Sequence, residues 1–178
     1  MNYFSSDTHF DHKNIIRFCN RPFATVEEMN EKLLDNINQV VGEDDIYWHL
    51  GDFAWRDPVK YIDAIKCKNI NIIIGNHDRK KRNVFERLAK SGRINFYTGY
   101  VDIKIEEQHV TLCHFPMISW LGSSHKAWHL YGHVHGRLVT DHPRTLDVGV
   151  DVHSHNLKPI SWNKIVEIIN KKIDNFEW

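Results

Sequence analysis

Along the chain, runs of β-branched and aromatic residues break off at a glycine or serine and hand over to polar side chains. The sharpest case is Ile72-Ile73-Ile74-Gly75-Asn76-His77-Asp78, which predicts a buried strand delivering polar groups at its carboxyl end, where α/β sheets bind their ligands. Tyr3-Phe4-Ser5-Ser6 predicts an opening strand that leads into Asp7-Thr8-His9, and Asp45-Ile46-Tyr47-Trp48-His49-Leu50-Gly51-Asp52 repeats the design. Helical patterns lie between. Thr25-Val26-Glu27-Glu28 is a capping box ahead of Val26, Met29, Leu33, Ile37 and Val40, which recur at three- and four-residue steps. Asp57-Pro58 starts another helix carrying Val59, Ile62 and Ile65, Val84 with Leu88 marks a third, and Asp11 reads as the cap of a short helix through Ile15 and Ile16. Strand, helix, strand in this order implies parallel βαβ units.

Beyond Ser91-Gly92 the apolar runs become shorter and alternating: Tyr100 to Ile105, His109 to Cys113, Trp128 to Tyr131 and Thr145 to Val152. They predict a second, more antiparallel sheet. Ser161 caps a closing helix with the stripe Ile165, Ile168, Ile169 and Ile173. No Pro- or Ser-rich linker separates the halves, so the pattern predicts two sheets packed in one domain spanning residues 1–178.

Composition narrows the partners. Twenty-three Lys plus Arg balance twenty-three Asp plus Glu, and a formal charge of zero argues against a general nucleic-acid or anionic-membrane binder. Cys19, Cys67 and Cys113 are odd in number and widely spaced, which suits a reducing compartment. With no signal-like N-terminus and no apolar run long enough for a membrane span, a cytoplasmic protein is expected.

Thirteen histidines outnumber the nine glycines, and histidine is both the commonest metal ligand and a general acid/base. Their spacing matters more than their number. His114 follows Val110-Thr111-Leu112-Cys113, and Gly132-His133-Val134-His135-Gly136 sets two imidazoles at i and i+2. Asp7-x-His9 has the same step, which on extended backbone puts both side chains on one face. Taken singly, each of these histidines reads more readily as a packed, hydrogen-bonded side chain than as a ligand. Together, five strand-end clusters hold Asp7, His9, Asp52, Asn76, His77, His114, His133 and His135, a set unlike a locally spaced, cysteine-rich structural zinc site.

The order Asp7-x-His9, Gly51-Asp52, Gly75-Asn76-His77-Asp78, His114, Gly132-His133-Val134-His135 resembles the calcineurin-like metallophosphoesterase superfamily, and the compact chain is similar to its small bacterial and phage members. The resemblance implies an α/β fold, a four-layer αββα sandwich of two mixed β-sheets flanked by helices. It implies two divalent metal ions, one held by Asp7, His9 and His135, the other by Asn76, His114 and His133, with Asp52 bridging. Manganese is the first choice, and iron, zinc, cobalt or nickel also suit imidazole, carboxylate and amide ligands. Two cations neutralise phosphate oxygens and make hydroxide from a bridging water, while His77 resembles the general acid and Asp78 the group that fixes its tautomer.

Departures from the family's protein-phosphatase branch bear on substrate. That branch carries Gly-Asp-x-x-Asp-Arg-Gly and ends its second motif in Glu, whereas this chain has Gly51-Asp52-Phe53-Ala54-Trp55-Arg56 and Asp78. A nucleotide-sized phosphodiester is the expected substrate, with a phosphomonoester, longer nucleic acid, or binding without turnover as alternatives. Arg56 either clamps a phosphate oxygen or forms a solvated salt bridge; Arg79, heading Arg79-Lys80-Lys81-Arg82, either guides phosphate or belongs to a solvated face. The Asn20-Arg21-Pro22-Phe23 turn, His125, His153 and His155 either line the mouth or serve surface and packing roles. Trp48, Trp55, Trp120 and Trp128 read as core, unless one near the metals stacks on a base.

Overall fold

Two mixed β-sheets carry the fold. The structure, a computed structural model, describes every residue except Val139, Asp141, Glu177 and Trp178, so those positions of the expected 1–178 unit lie outside it. In the first sheet β1 (Asn2–Ser5), β2 (Ile46–His49), β3 (Asn69–Ile73) and β4 (Asn95–Tyr97) run parallel, and β9 (Ile160–Ser161) pairs antiparallel with β1 to give the order β4-β3-β2-β1-β9. The second sheet takes β5 (Tyr100–Ile105), β6 (Gln108–Cys113), β7 (Trp128–Tyr131) and β8 (Thr145–Asp147) in sequence order. Helices α1 (Lys13–Phe18), α2 (Val26–Val40), α3 (Pro58–Ala64) and α4 (Arg82–Lys90) connect the parallel strands, and α5 (Trp162–Asp174) follows β9. No described helix is long and apolar enough to cross a membrane.

The period-2 alternation of the strands divides the apolar side chains between two cores. Tyr47, Ile70 and Ile72 face α2 and α3 through Met29, Leu33, Ile37, Tyr61 and Ile62, whereas Phe4, Trp48 and Ile73 face Val110, Leu112, Trp128 and Leu130 of the second sheet. Trp162, Ile165 and Ile169 of α5 complete that inter-sheet cluster. This is the expected two-sheet arrangement with helices flanking. The other face of the second sheet carries His129, fully buried under residues 115–127, where Met117 N–H donates to its Nε2 and the Trp120 ring lies 5.3 Å away.

The caps follow the sequence closely. Thr25 accepts from Glu28 N–H, Asp57 from Val59 N–H and Ser161 from Lys164 N–H. The return bond of the capping box goes to Ala24 N–H rather than to Thr25. Asp11 is a correction: α1 starts after His12 with no side-chain cap, and the Asp11 carboxylate instead accepts from Tyr61 O–H at 2.6 Å and Asn30 N–H at 2.9 Å. These buried donors outcompete an exposed helix end. The second sheet is also less antiparallel than expected, since only β5 and β6 pair that way. Residues 114–127 and 132–144 are each long enough for a parallel crossover, which needs about a dozen residues. β4 and β9 were not expected; three and two residues leave too little pattern to read.

Candidate metal centre

The polar residues converge because the parallel strands of both sheets deliver them at the same end. Asp7 and His9 follow β1, Asp52 follows β2, Asn76 to Asp78 follow β3, His114 follows β6, and His133 and His135 follow β7. A parallel bridge between Ser6 and Gly149, with Val150 N–H donating to Ser6 C=O at 3.0 Å, joins the exit of β1 to the exit of β8. Close approach needs glycine at two of these exits. A Cβ at Gly75 would lie 2.1 Å from Asp52 Oδ1, and one at Gly132 would lie 2.0 Å from Ser6 Oγ.

The backbone at the exits is strained in a common way. Asp7, His9, Asp52, His133 and His135 all adopt positive φ, between 50° and 71°. A side chain in this region costs about 1–2 kcal/mol, and such strain collects at functional sites. This also corrects the expected geometry. The i and i+2 pairs meet through tight left-handed turns, not through alternation on extended backbone, so His133 and His135 are free to face different neighbours.

Two triads result. Ligand atoms of Asp7, His9 and His135 lie within 4.8 Å of one another, as do those of Asp52, His114 and His133. Asp52 Oδ2 sits between the triads, 3.6 Å from His9 Nε2 and 3.4 Å from His114 Nε2, while His9 and His135 Nε2 are 3.9 and 4.0 Å from Asp7 Oδ1. Most of these gaps exceed hydrogen-bond length. The two gaps from Asp52 Oδ2 are close to the roughly 3.4 Å that separates two ligands sharing one cation at about 2.1 Å each at a tetrahedral angle, and the two from Asp7 Oδ1 are wider. Asp7 Oδ1 and His9 Nε2 are buried without any hydrogen-bond partner. Orphaned atoms of this kind, drawn from nitrogen and carboxylate donors, fit a divalent cation. Asn76 joins the second triad, its Oδ1 3.0 Å from His114 Nε2.

The remaining hydrogen bonds turn these lone pairs inward. His114 Nδ1 lies 2.8 Å from Leu50 C=O, which can only accept, so the ring proton sits there and Nε2 is left as the ligand atom. His135 Nδ1 meets Asp151 Oδ2 at 2.7 Å with the same result. His133 N–H donates to Asp7 Oδ2 and His77 N–H to Asp52 Oδ1, each at 2.9 Å, which leaves the other oxygen of each carboxylate facing the triads.

Asp151 was not singled out by the sequence, and Arg21 was read only within a turn that either lines the mouth or serves packing. The buried Arg21 guanidinium pairs with Asp151 through Nε at 2.7 Å and Nη2 at 2.8 Å, and also donates to the Asp7 and Thr8 carbonyls. It therefore braces His135 through Asp151 and the β1 exit directly. The proline and phenylalanine that follow Arg21 gave only a turn signal. Cys19, with His135 and Asp151, forms a third close group, although both Asp151 oxygens are already engaged by Arg21. Asn20, Arg21, Pro22 and His153 line a cavity of about 560 Å³ beside Asp151, His155 is buried with Nδ1 on Gly149 C=O, and His125 is exposed beside Ser124.

Asp78 is a second correction. It was expected against the His77 ring, but its fully buried carboxylate accepts from the backbone N–H groups of Asp52 at 2.6 Å, Gly75 at 3.0 Å and Phe53 at 3.1 Å. Gly75 and Asp78 form one turn, and three inward N–H groups outweigh one exposed imidazole. Asp78 thus clamps the β2 exit to the β3 exit. His77 itself is 41% exposed, with Nε2 3.9 Å from Asp52 Oδ2. Arg56 and Arg79 are both exposed.

Charge within the site follows burial and these contacts. Burial pushes the Asp7 carboxyl up to about 6 against the pull of His114 and His135. Burial works the same way on Asp52, but His114 and His9 outweigh it and hold that carboxyl below the usual range. His9 is driven well down by burial, and His133 down by burial and His114. His114 and His135 resist the same burial because of their carboxylate partners, Asp52 and Asp7 for the first and chiefly Asp151 for the second, which reaches about 10.

No protein-family model matches the chain. It is 34% identical over 177 residues to the uncharacterized protein MJ1445 of Methanocaldococcus jannaschii, covering 95% of this chain and 91% of that protein. It is 27% identical over 204 residues to the gene 66 protein of Mycobacterium phage L5, covering 94% of this chain and 93% of the phage protein. Among solved structures, the protein of unknown function AQ665 from Aquifex aeolicus matches with a TM-score of 0.71 and 26% identity, covering 94% of this chain and 98% of the other. A novel archaeal phosphodiesterase matches with a TM-score of 0.51 and 21% identity over 83% and 81% of the two chains, a likeness of fold alone.

Proposed function

We propose that this chain, which belongs to the family of the Methanocaldococcus jannaschii protein MJ1445, is a binuclear metal-dependent phosphoesterase of the calcineurin-like superfamily, acting on a nucleotide-sized phosphodiester. The observation that carries the reading is Asp52 Oδ2 standing between two triads whose buried Asp7 Oδ1 and His9 Nε2 lack partners. The fold shared with an archaeal phosphodiesterase supports the diester over the monoester. Zero net charge counts against longer nucleic acid.

Two divalent cations there would supply positive charge to the phosphate oxygens and acidify a water. Asp52 offers one oxygen to both halves of the site, while its other oxygen is occupied by His77 N–H. That same bond fixes where the His77 ring can reach. The ring is exposed, packs against His9 and Trp55 at 5.4 and 5.3 Å, and stands where a leaving oxygen would need a proton. Its orientation comes from these contacts, and Asp78 acts as a positioning residue for the loops beneath. Neither triad contains a thiolate, so manganese, iron, zinc, cobalt and nickel all suit the donors, with manganese proposed first. The cysteines are unpaired, in keeping with the proposed cytoplasmic setting.

The test is hydrolysis of bis(p-nitrophenyl) phosphate and p-nitrophenyl phosphate by metal-stripped protein, with and without Mn²⁺. Manganese-dependent turnover that favours the diester is expected. His77→Ala should cost about 100-fold or more with an alkyl leaving group, and much less with p-nitrophenolate, which departs without a proton. Monoester preference, or turnover that ignores added metal, would sink the reading.

A further inference from the structure

Four rings close one flank of the metal centre. His9 lies 5.4 Å from both His12 and His77, His12 stacks on Trp55 with centroids 4.1 Å apart and planes 10° apart, and Trp55 lies 5.3 Å from His77. Among the described tryptophans, Trp48, Trp120, Trp128 and Trp162 are all buried, whereas Trp55 remains 44% exposed. Phe18, also exposed, meets His12 edge-on at 6.3 Å and extends the apolar surface.

The indole is exposed but not loosely held. Its anchor is the main chain: the Trp55 backbone N–H donates to Phe10 C=O at 2.6 Å beside the Phe10–Ala54 bridge, Phe10 is fully buried against Tyr61 at 4.1 Å, and the indole itself is held by its stacking on His12. His12 covers one indole face. The rest is a flat, pre-positioned apolar surface next to the candidate general acid, so a ligand ring landing there would lose its own freedom but little of the protein's. One indole is far too small for a protein interface and well matched to a single ring.

We infer that Trp55, backed by His12, is a stacking subsite for a planar aromatic ring, the nucleobase of a nucleotide ester whose phosphate lies at the triads. The inference rests on the phosphoesterase reading for the position of that phosphate. Stacking accepts any base through its π-face and adds about tenfold or more to affinity. The subsite therefore selects nucleotides over aliphatic phosphoesters without choosing among bases.

The experiment is calorimetric titration of manganese-loaded protein with adenosine 5′-monophosphate and with ribose 5-phosphate, for wild type, Trp55→Ala and Trp55→Phe. Wild type should bind the nucleotide about tenfold more tightly than the sugar phosphate. Trp55→Ala should bring that ratio close to one while ribose 5-phosphate binding changes less than about twofold, and Trp55→Phe should restore most of the difference. A wild-type ratio near one, a ratio that survives Trp55→Ala, or equal weakening of both ligands would overturn the subsite. Hydrolysis of bis(p-nitrophenyl) phosphate separates the two claims. A hydrolytic protein with a ratio of one loses only the stacking role, and a protein that hydrolyses no ester but keeps a high ratio loses the enzymatic reading and retains the subsite.

Discussion

The two triads have similar burial but are supported differently. His135, in the Asp7 triad, is backed by a buried ion pair, Asp151 with Arg21, and Arg21 also holds the Asp7 and Thr8 carbonyls. His114, in the Asp52 triad, is backed by a neutral backbone carbonyl, and in its doubly protonated form its Nε2–H donates to Asn76 Oδ1 at 3.0 Å. Among the described triad residues, the buried atoms without a hydrogen-bond partner, Asp7 Oδ1 and His9 Nε2, both belong to the Asp7 triad. An unsatisfied buried polar atom costs about 1–3 kcal/mol, so the Asp7 triad gains more from a cation than the Asp52 triad does. The difference teaches that the proposed pair of ions should be unequal, a tightly held one at Asp7 and a more exchangeable one beside the exposed His77.

Asp52→Ala attacks what the triads share and should have the largest effect. Removing the common oxygen should lower manganese-dependent diester hydrolysis by about 1,000-fold or more, with both ions weakened. Turnover within tenfold of wild type would show that the triads work independently.

Asp151→Asn sharpens the contrast. It should weaken one ion by about 10–100-fold in a two-site metal titration and leave the other unchanged. Equal weakening of both would erase the distinction between the supports. Arg21→Met, which strands a buried carboxylate, should in addition lower stability by about 3–5 kcal/mol in chemical denaturation.

The pH dependence separates the triads a third way. A ligand must be deprotonated to bind, so each proton held by the metal-free site makes affinity fall by about tenfold per unit as pH drops below that group's pKa. In the Asp7 triad, Asp7 near 6 and His135 near 10 both hold protons at pH 5. Affinity there should rise by about two decades per pH unit below 6 and about one decade per unit above it. In the Asp52 triad the carboxylate is already ionised and burial with His114 pulls His133 down, so His114 is the chief competing base and the slope should be the shallower of the two. Metal titrations at pH 5, 6 and 8 would decide it, and matching slopes would remove the asymmetry.

The smallest effect is a control remote from both triads. Thr25→Ala deletes the α2 cap and should cost about 1 kcal/mol, seen as a melting temperature lower by about 2–4 °C, with metal affinity unchanged.

What could be read in advance divides along the same line. The residues of both triads were legible because all follow strand ends, where a β-rich run followed by Asp, Asn or His is a local signal. The supports were not. Arg21 meets Asp151 across 130 positions of sequence, a pairing made in the folded chain beside the bridge that joins the exits of β1 and β8. Asp78 misled for the opposite reason, since adjacency to His77 suggested a partner while the turn aimed its carboxylate at backbone donors. In the second sheet, the short apolar runs located the strands, but strand direction depended on crossover length. The β4 and β9 strands were too short to carry a pattern, and Asp11 showed a cap signal that a buried tyrosine and asparagine overrode.

The bridge between Ser6 and Gly149 has a mechanical consequence. Each triad takes ligands from both sides of the chain, Asp7 and His9 with His135, and Asp52 with His114 and His133, so neither sheet alone holds a complete binding set. A bound ion would then act as a removable rivet through the seam of the sandwich. At a hundred times its dissociation constant each rivet adds about 2.7 kcal/mol against separation of the sheets. The resistance of this fold to pulling apart would track the metal supply around it, whatever the ions do at the site.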